Sequence, residues 1–259
     1  MAARRPGTLD PLVEMTGVSH KCMIPINGKP LLERVVESLL GSGRIAKIYI
    51  SIDEGSVIRS SQILSDLLDK GVLVISPAEA NLADSVLAAA GTIPSTEWPV
   101  IITTGDNALH TPEIIVDFVR GMEQEEADVA LGITREEDVA PSIPDSGLAY
   151  HRLKDGGFSS CNLYSIRYNA LDTVNVFRSG GQFGKKHWRI LKSFGLISFL
   201  LYKTKLITID GLIRRIGKGF GIKVIPVYLP YDYGPIDVDN PSSFKLSERL
   251  LIQREGRTS

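Results

Sequence analysis

The sequence lacks the features that stabilise a protein covalently or place it in a membrane. Only two of its 259 residues are cysteines, Cys22 and Cys161, which provide neither a disulfide framework nor a CxxC metal site. A reducing, cytoplasmic setting is therefore expected. The longest apolar run, at residues 194–202, is far shorter than the ~20 residues that cross a bilayer. The first residues contain no apolar signal-peptide segment, so no export signal is expected.

A net excess of either charge is also nearly absent, because 29 Lys and Arg are balanced by 30 Asp and Glu. The net charge of -1 argues against a general nucleic-acid binder, whose surface needs a large positive excess. The composition, 43% hydrophobic and 23% charged, is typical of a globular protein. The length of 259 residues fits one large α/β domain or two small ones. The charge is nevertheless unevenly distributed, because residues 178–223 contain eleven Lys and Arg but a single acid, Asp210.

Short apolar runs alternate with amphipathic segments through the first half of the chain. The apolar runs predict strands at residues 46–52, 71–77, 98–104 and 127–134. The i, i+3, i+4 spacing of apolar residues predicts helices at residues 30–40, 59–69, 82–91 and 111–122. This alternation predicts an α/β fold with a mostly parallel central sheet and helices on both faces.

The second half has a different pattern. Two extended segments around a turn at residues 154–157 predict a hairpin within residues 148–167. The basic segment 178–223 reads as helical, residues 222–230 as a final strand, and residues 237–253 as a loop and a helix capped near Asn240 or Ser242.

Carboxylates follow two of the predicted strands. Asp106 comes after the strand at 98–104, and Asp237 and Asp239 come after the last strand. Ligands of open α/β sheets bind beyond the carboxyl ends of the strands, and Mg²⁺ takes one or two carboxylates together with substrate phosphates. The simpler interpretation, in which each aspartate caps a helix or forms a turn, stays open at this point.

Residues 2–30 form a polar, basic segment that could neutralise a triphosphate opposite those carboxylates. Lys21 is its most central cation, although a solvated loop lysine is the commoner case. His20 is better explained as a structural hydrogen-bonding residue than as a base. Cys22 and Cys161 are better explained as small core residues than as nucleophiles.

Three segments resemble the motifs of nucleotidyltransferases with a Rossmann-like, GT-A-type fold. Residues 20–39, HKCMIPINGKPLLERVVESL, are similar to the family segment K-x-L-x-P-[IVL]-x-G-[KR]-P. Residues 102–107, ITTGDN, are similar to the metal-binding aspartate at a strand end, and residues 236–251, IDVDNPSSFKLSERLL, to the C-terminal D-[VI]-D-[TN]-P segment. The subgroup with the greatest likeness is the MobA-like NTP transferases, and the similarity covers nearly the whole chain.

The resemblance implies roles in catalysis and metal binding. Lys21 matches the lysine that contacts the nucleotide phosphates, and Arg5 falls in the loop that wraps the triphosphate. Asp106 matches the Mg²⁺ ligand, and Asp237, with Asp239 as its neighbour or substitute, matches the second metal ligand.

The resemblance also implies contacts with the nucleotide and the acceptor. Ser76, Pro77 and Ser85 match the region that reads the base and ribose, and Asn162 lies where the family approaches the acceptor. The full set of implied binding positions is Ala3, Arg4, Arg5, Lys21, Ser76, Pro77, Ser85, Gly105 and Asn162.

The N-terminal segment departs from the family pattern in two ways. The first loop reads AARRPGTLDP where the family typically has L-A-G-G-x-G-x-R, so glycines that let backbone N–H groups approach phosphates are mostly absent. The family's first strand would precede Ala2, and we expect it upstream of this sequence. The chain is otherwise expected to be a single nucleotidyltransferase domain over residues 1–259, with residues 178–223 as a basic helical insert.

Two interpretations of the basic insert remain open. In the first it is a helical cap that packs on the sheet through Trp188, Leu191, Gly195 and Leu196. In the second, residues 185–218 attract an anionic membrane surface, because their mixture of Trp, Phe, Leu and Lys is typical of interfacial helices.

The resemblance and the residues together predict a Mg²⁺-dependent nucleotidyltransferase. The enzyme would transfer an NMP from an NTP to a small phosphorylated acceptor and release pyrophosphate. The alternative enzyme is a GT-A glycosyltransferase that uses a nucleotide-sugar. The alternative from a different class is a non-catalytic nucleotide-binding or membrane-associated protein, which the glycine-poor first loop favours.

Overall fold

The structure of the protein is a computed structural model that describes residues 10–179 and 188–256. For residues 177, 179 and 188–194 the backbone alone is described. The strands, in chain order, are β1 (Pro25–Ile26), β2 (Lys29–Pro30), β3 (Ile48–Ile52), β4 (Leu73–Pro77), β5 (Val100–Ile102), β6 (Val129–Arg135), β7 (His151–Leu153), β8 (Gly156–Ile166) and β9 (Val224–Tyr228).

The α-helices lie mostly where apolar periodicity predicts them. In chain order they are α1 (Pro11–Thr16), α2 (Leu31–Gly41), α3 (Gln62–Asp69), α4 (Leu82–Ala90), α5 (Pro112–Glu125), α6 (Glu136–Val139), α7 (Trp188–Lys203), α8 (Ile209–Phe220) and α9 (Pro241–Glu255). Short 3₁₀ helices occupy Lys21–Met23, Gly55–Ser60, Ser95–Glu97 and Tyr168–Ser179. Within the described residues, no helix is both long and apolar enough to cross a membrane.

The chain divides into two compact units. The first consists of the described parts of Met1–Glu79, Thr103–Val116 and Ile236–Ser259. The second consists of the described parts of Ala80–Ile102 and Asp117–Pro235.

The first unit contains a parallel pair of strands and a short hairpin. Strands β3 and β4 pair in parallel from Ile48 opposite Leu73 to Ile52 opposite Pro77, whereas β1 and β2 pair antiparallel. Its core is apolar and comes from the strands, from α2 and α3 and from the 3₁₀ segments: Cys22, Met23, Leu32, Val36, Ile50, Ile52, Ile58, Leu64 and Leu73.

The second unit contains a five-stranded mixed sheet. Its order is β5-β8-β6-β9, with β7 paired to β8. Strand β8 runs antiparallel to its partners, and only β6 and β9 pair in parallel within this sheet. The predicted α/β class is confirmed, but the expected mostly parallel sheet is corrected to a mixed one. The physical reason is the 154–157 turn: it returns the chain directly as a hairpin, so β8 enters the sheet antiparallel.

The basic segment packs on this sheet with one side. Phe199 and Tyr202 of α7, together with Ile209, Leu212 and Ile213, contact an apolar cluster that includes Ile133 and Phe158. The prediction that the basic segment packs on the sheet is therefore confirmed.

The prediction was wrong for two of the four packing residues. Gly195 and Leu196 are exposed, because Gly195 adopts φ 81° and interrupts α7, which shifts the helical register beyond it. The side chains of Trp188 and Leu191 lie outside the described residues.

Candidate active site

Three predicted site residues from distant parts of the chain meet in the first unit. The Nζ atom of Lys21 lies 2.5 Å from Oδ2 of Asp106 and 2.8 Å from Oδ1 of Asp239. The two carboxylate oxygens therefore lie no farther apart than the sum of these distances. The Lys21, Asp106 and Asp239 side chains are 20%, 14% and 29% exposed, respectively, so the ion pairs are shielded from solvent but reachable from it.

The backbone fixes Asp106 beside the C-terminal motif. The N–H of Val238 donates to the carbonyl of Asp106 over 3.1 Å, so the segment 237–239 runs alongside residue 106. Next to Asp106, the hydroxyl of Thr104 donates to the side-chain carbonyl of Asn107, which is completely buried. These two hydrogen bonds hold the backbone around Asp106 in place.

The C-terminal aspartate is positioned by the cap of α9. Asn240 accepts hydrogen bonds from the N–H groups of Ser242 and Ser243, and the hydroxyl of Ser243 accepts from the N–H groups of Asp239 and Asn240. This is a capping box with serine in the place that usually carries Glu or Gln. The Ser243 hydroxyl therefore holds the backbone at Asp239 in place.

Lys21 is positioned by a buried neighbour. His20 has no exposed surface, and its Nε2 lies 3.0 Å from Oδ1 of Asp53 while its Nδ1 lies 2.8 Å from the hydroxyl of Ser19. Asp53 directly follows β3, so the pair connects the segment that carries Lys21 to the end of a strand. The structural interpretation of His20 agrees with this arrangement. Sequence reasoning missed Asp53, although a carboxylate directly after a strand was the signal already used for Asp106.

The ion pairs determine the protonation of Lys21. Burial by itself would lower the pKa of this amine, but the adjacent Asp106 and Asp239 carboxylates outweigh that effect and raise the pKa well above its usual range. Lys21 is therefore fully charged at neutral pH.

The carboxylates can accept a further cation. Oδ1 of Asp106 is buried and has no hydrogen-bond partner among the described residues, which leaves an acceptor available beside the paired one. Within residues 10–179 and 188–256, no three His, Cys, Asp or Glu side chains form a group that could hold a metal by themselves. The residues present thus fit a hard cation that takes one or two carboxylates and completes its shell with substrate oxygens.

The other predicted residues that the structure describes belong to several elements. Ser76 is buried and Pro77 exposed at the end of β4, and Gly105 is buried next to Asp106. Ser85 is buried in α4 and Asn162 lies in β8, both in the second unit. Their roles stay predictions.

The Asn162 position has a specific backbone conformation. Its φ of 53° is in the left-handed region, and the pairing of β6 with β8 shifts register between Leu131 and Ile133. Such bulges re-aim side chains and occur often beside active sites.

Some predicted residues fall outside the described part of the chain. Ala3, Arg4 and Arg5 are among them, so the triphosphate loop remains a prediction. Both cysteines are buried in the core, and burial raises the pKa of each thiol to about 12, which agrees with their interpretation as core residues.

Comparison of the fold with solved structures identifies its class. A hypothetical transferase from Thermus thermophilus is 21% identical, with a TM-score of 0.71 over 93% of this chain and 97% of that one. A CMP:2-keto-3-deoxy-manno-octonic acid synthetase complexed with CTP is 15% identical, with a TM-score of 0.58 over 97% of both chains. A 4-diphosphocytidyl-2C-methyl-D-erythritol synthase from Anaerococcus prevotii is 12% identical, with a TM-score of 0.55 over 89% and 92%. The fold is thus the Rossmann-like fold of nucleotidyltransferases.

The sequence comparison places the chain within that class. The profile of the MobA-like NTP transferase domain matches residues 14–158, more than half of the chain. No curated protein sequence matches it. The chain belongs to the MobA-like NTP transferase domain family and is an enzyme of the nucleotidyltransferase type, as the motifs predicted.

Proposed function

We propose that the protein is a Mg²⁺-dependent nucleotidyltransferase that transfers an NMP from an NTP to a small phosphorylated acceptor. The observation that carries the proposal is the convergence of Lys21 with Asp106 and Asp239. One cationic and two anionic side chains at a single point suit a triphosphate that arrives with a divalent cation.

The proposed reaction needs no protein nucleophile. An oxygen of the acceptor phosphate attacks the α-phosphorus of the NTP, and the bond between that phosphorus and the oxygen that bridges to the β-phosphate breaks. Pyrophosphate leaves with the bonding electrons, and the NMP remains joined to the acceptor. Lys21 stabilises the negative charge that develops on the phosphate oxygens.

The carboxylates would hold the cation. Asp106 and Asp239, with Asp237 as the third candidate, would bind Mg²⁺, which supplies charge neutralisation and orientation of phosphate oxygens. Proteins of this family usually use divalent metals. The backbone hydrogen bond from Val238 to Asp106 keeps the two segments that carry the carboxylates together, and this supports a common role of the carboxylates in metal binding.

The proposal includes the substrate and the setting. CTP is the nucleotide to be tested first, because the synthetase with a similar fold is complexed with CTP. The enzyme would act in the cytoplasm and associate peripherally with anionic membranes through residues 185–218, of which 185–187 lie outside the described residues.

Pyrophosphate release tests the proposal. The four NTPs, each with Mg²⁺ and a panel of phosphorylated acceptors, should give pyrophosphate with at least one combination. The Asp106→Asn and Lys21→Met variants should lose at least about 100-fold in kcat/KM, the size typical for a lost electrostatic contact in a transition state. Asp69→Asn, an exposed carboxylate paired with Arg59, is the matched control and should keep full activity.

Two outcomes would contradict the proposal. Full turnover in Asp106→Asn would exclude the metal role of this residue. Release of a nucleoside diphosphate from a nucleotide-sugar, without pyrophosphate from any NTP, would instead favour the glycosyltransferase.

A further inference from the structure

One side of the basic segment is apolar and exposed. Leu196, Ile197 and Leu200 on α7 are 59%, 59% and 50% exposed, and Leu206 in the turn that follows is 69% exposed. We call these four side chains the apolar patch. Single exposed apolar residues are ordinary on protein surfaces, but four large ones within eleven consecutive residues form a patch that needs a reason.

The opposite side of the same segment fixes the direction of the patch. Tyr202 is 8% exposed, and it packs with Phe199 against the apolar cluster of the mixed sheet. The hydroxyl of Tyr202 also lies 2.9 Å from Nδ1 of His151. Because the buried side is anchored, the apolar patch cannot turn inward without breaking these contacts.

Exposed cations lie in the same stretch as the apolar patch and on α8, which packs against α7. Lys203 and Lys205 lie within the same stretch and are exposed, as are Arg214, Arg215 and Lys218 on α8. Between residues 188 and 208 the sequence contains no acidic residue at all.

The nearby acids already have partners. Asp210 accepts a hydrogen bond of 2.7 Å from the hydroxyl of Tyr228, and Asp155 accepts from the N–H of Ile209. The local surface therefore combines exposed apolar side chains with an excess of positive charge.

We propose that the apolar patch, with Lys203 and Lys205, docks on an anionic lipid surface. The leucine and isoleucine side chains would enter the boundary between headgroups and acyl chains, while the lysine amines remain at the level of the lipid phosphates. A second copy of the chain is a poorer occupant. In a two-fold dimer through this patch, the same cations would face each other without acids between them.

The proposal rests on the membrane association proposed above and assigns it to specific side chains, but it does not depend on the nucleotidyltransferase chemistry. Lipid attraction requires the patch and its charge, and no nucleotide. A failure of vesicle binding and a failure of pyrophosphate release are therefore separate results.

Vesicle co-sedimentation tests the proposal. The full chain should sediment with vesicles of phosphatidylcholine containing 30% phosphatidylglycerol at low salt, and this binding should weaken as salt rises. Each lysine near an anionic surface contributes about 1 kcal/mol. The Lys203→Gln/Lys205→Gln variant should therefore bind about 30-fold more weakly, which is about 2 kcal/mol.

Matched variants separate the patch from general effects. Lys70→Gln/Lys245→Gln removes two exposed lysines in the first unit and should bind like the wild type. Leu196→Asp/Leu200→Asp should lose vesicle binding, whereas Ile252→Asp, a residue 54% exposed on α9, should keep it. Circular dichroism melts should confirm that each variant is folded.

Three results would overturn the proposal. The first is an absence of wild-type binding at low salt, and the second is equal binding to vesicles of pure phosphatidylcholine. The third is a dimer in light scattering that Leu196→Asp/Leu200→Asp converts to a monomer without any change in vesicle binding.

Discussion

Replacement of Lys21 should reveal how strongly the candidate site depends on its internal cation. In Lys21→Met, a side chain of similar length and without charge removes the cation that lies between the carboxylates of Asp106 and Asp239. With oxygens at most roughly 5 Å apart, two unit charges repel by about 3 kcal/mol at an effective dielectric constant of about 20. Rearrangement of the more exposed Asp239 relieves part of this energy. We expect the free energy of unfolding to fall by about 2–3 kcal/mol.

Urea denaturation at pH 7, with the wild type and the variant in parallel, measures this loss. In Lys21→Met/Asp106→Asn only one of the two charges remains, so the repulsion disappears and the loss should be smaller than the sum of the two single losses. Mg²⁺ at ten times its dissociation constant for Lys21→Met should stabilise that variant by about 1.4 kcal/mol, and it should stabilise the wild type less at the same concentration. Additive losses in the double variant, together with no differential effect of Mg²⁺, would refute the reasoning.

Two further predictions concern packing and pH. Gly121→Ala should destabilise the protein by about 1–2 kcal/mol, because the new Cβ would lie 2.6 Å from Val227. Gly219→Ala, whose new Cβ would have nothing within 4 Å, should instead stabilise it by about 0.5–1 kcal/mol. Urea denaturation measures both changes, and a change of the same sign in the two variants would contradict the packing argument. Burial raises the pKa of Cys22 and Cys161 to about 12 in the folded chain. Between the thiol pKa of the unfolded chain and about pH 12, only the unfolded chain therefore releases these protons. Stability should fall by about 1.4 kcal/mol per thiol and pH unit between roughly pH 9 and 12, and an unchanged slope in the double Ala variant would contradict this origin.

Much of the fold could be predicted from local sequence because its elements carry strong periodic signals. The apolar spacing in α2 and the short apolar run in β3 gave both elements within two residues of their observed bounds. The hairpin of β7 and β8 was predicted, but the antiparallel pairing of β8 with β5 and β6 was not, since the apolar pattern does not say which neighbours pair. The short helix α1 was also missed, because six residues contain too few apolar positions to show a period.

The kink at Gly195 shows why periodicity failed to assign the packing side of α7. The sequence pattern placed Leu196 on the packing side of α7, which assumes that the helix is continuous through residue 195. The φ of 81° at Gly195 breaks that continuity, and the contacts of Phe199 with the sheet then set a new register. Glycine permits this conformation at no steric cost, but the sequence alone does not say whether a glycine within a helical pattern uses that freedom.

The candidate site depends on a different kind of information. Lys21 and Asp239 are separated by 218 positions along the chain, and no local pattern pairs residues at that distance, so the resemblance to a family was needed to suggest their proximity. The structure adds what the motifs leave out. In the structure Lys21 already forms ion pairs with both carboxylates, so a loss of activity in Lys21→Met would by itself have two causes, a missing phosphate contact and a destabilised site. The loss that is due to the missing phosphate contact can be assigned only by measuring both stability and pyrophosphate release for a series of variants. Lys21→Met/Asp106→Asn provides the reference, because in it the repulsion between the two carboxylates is absent.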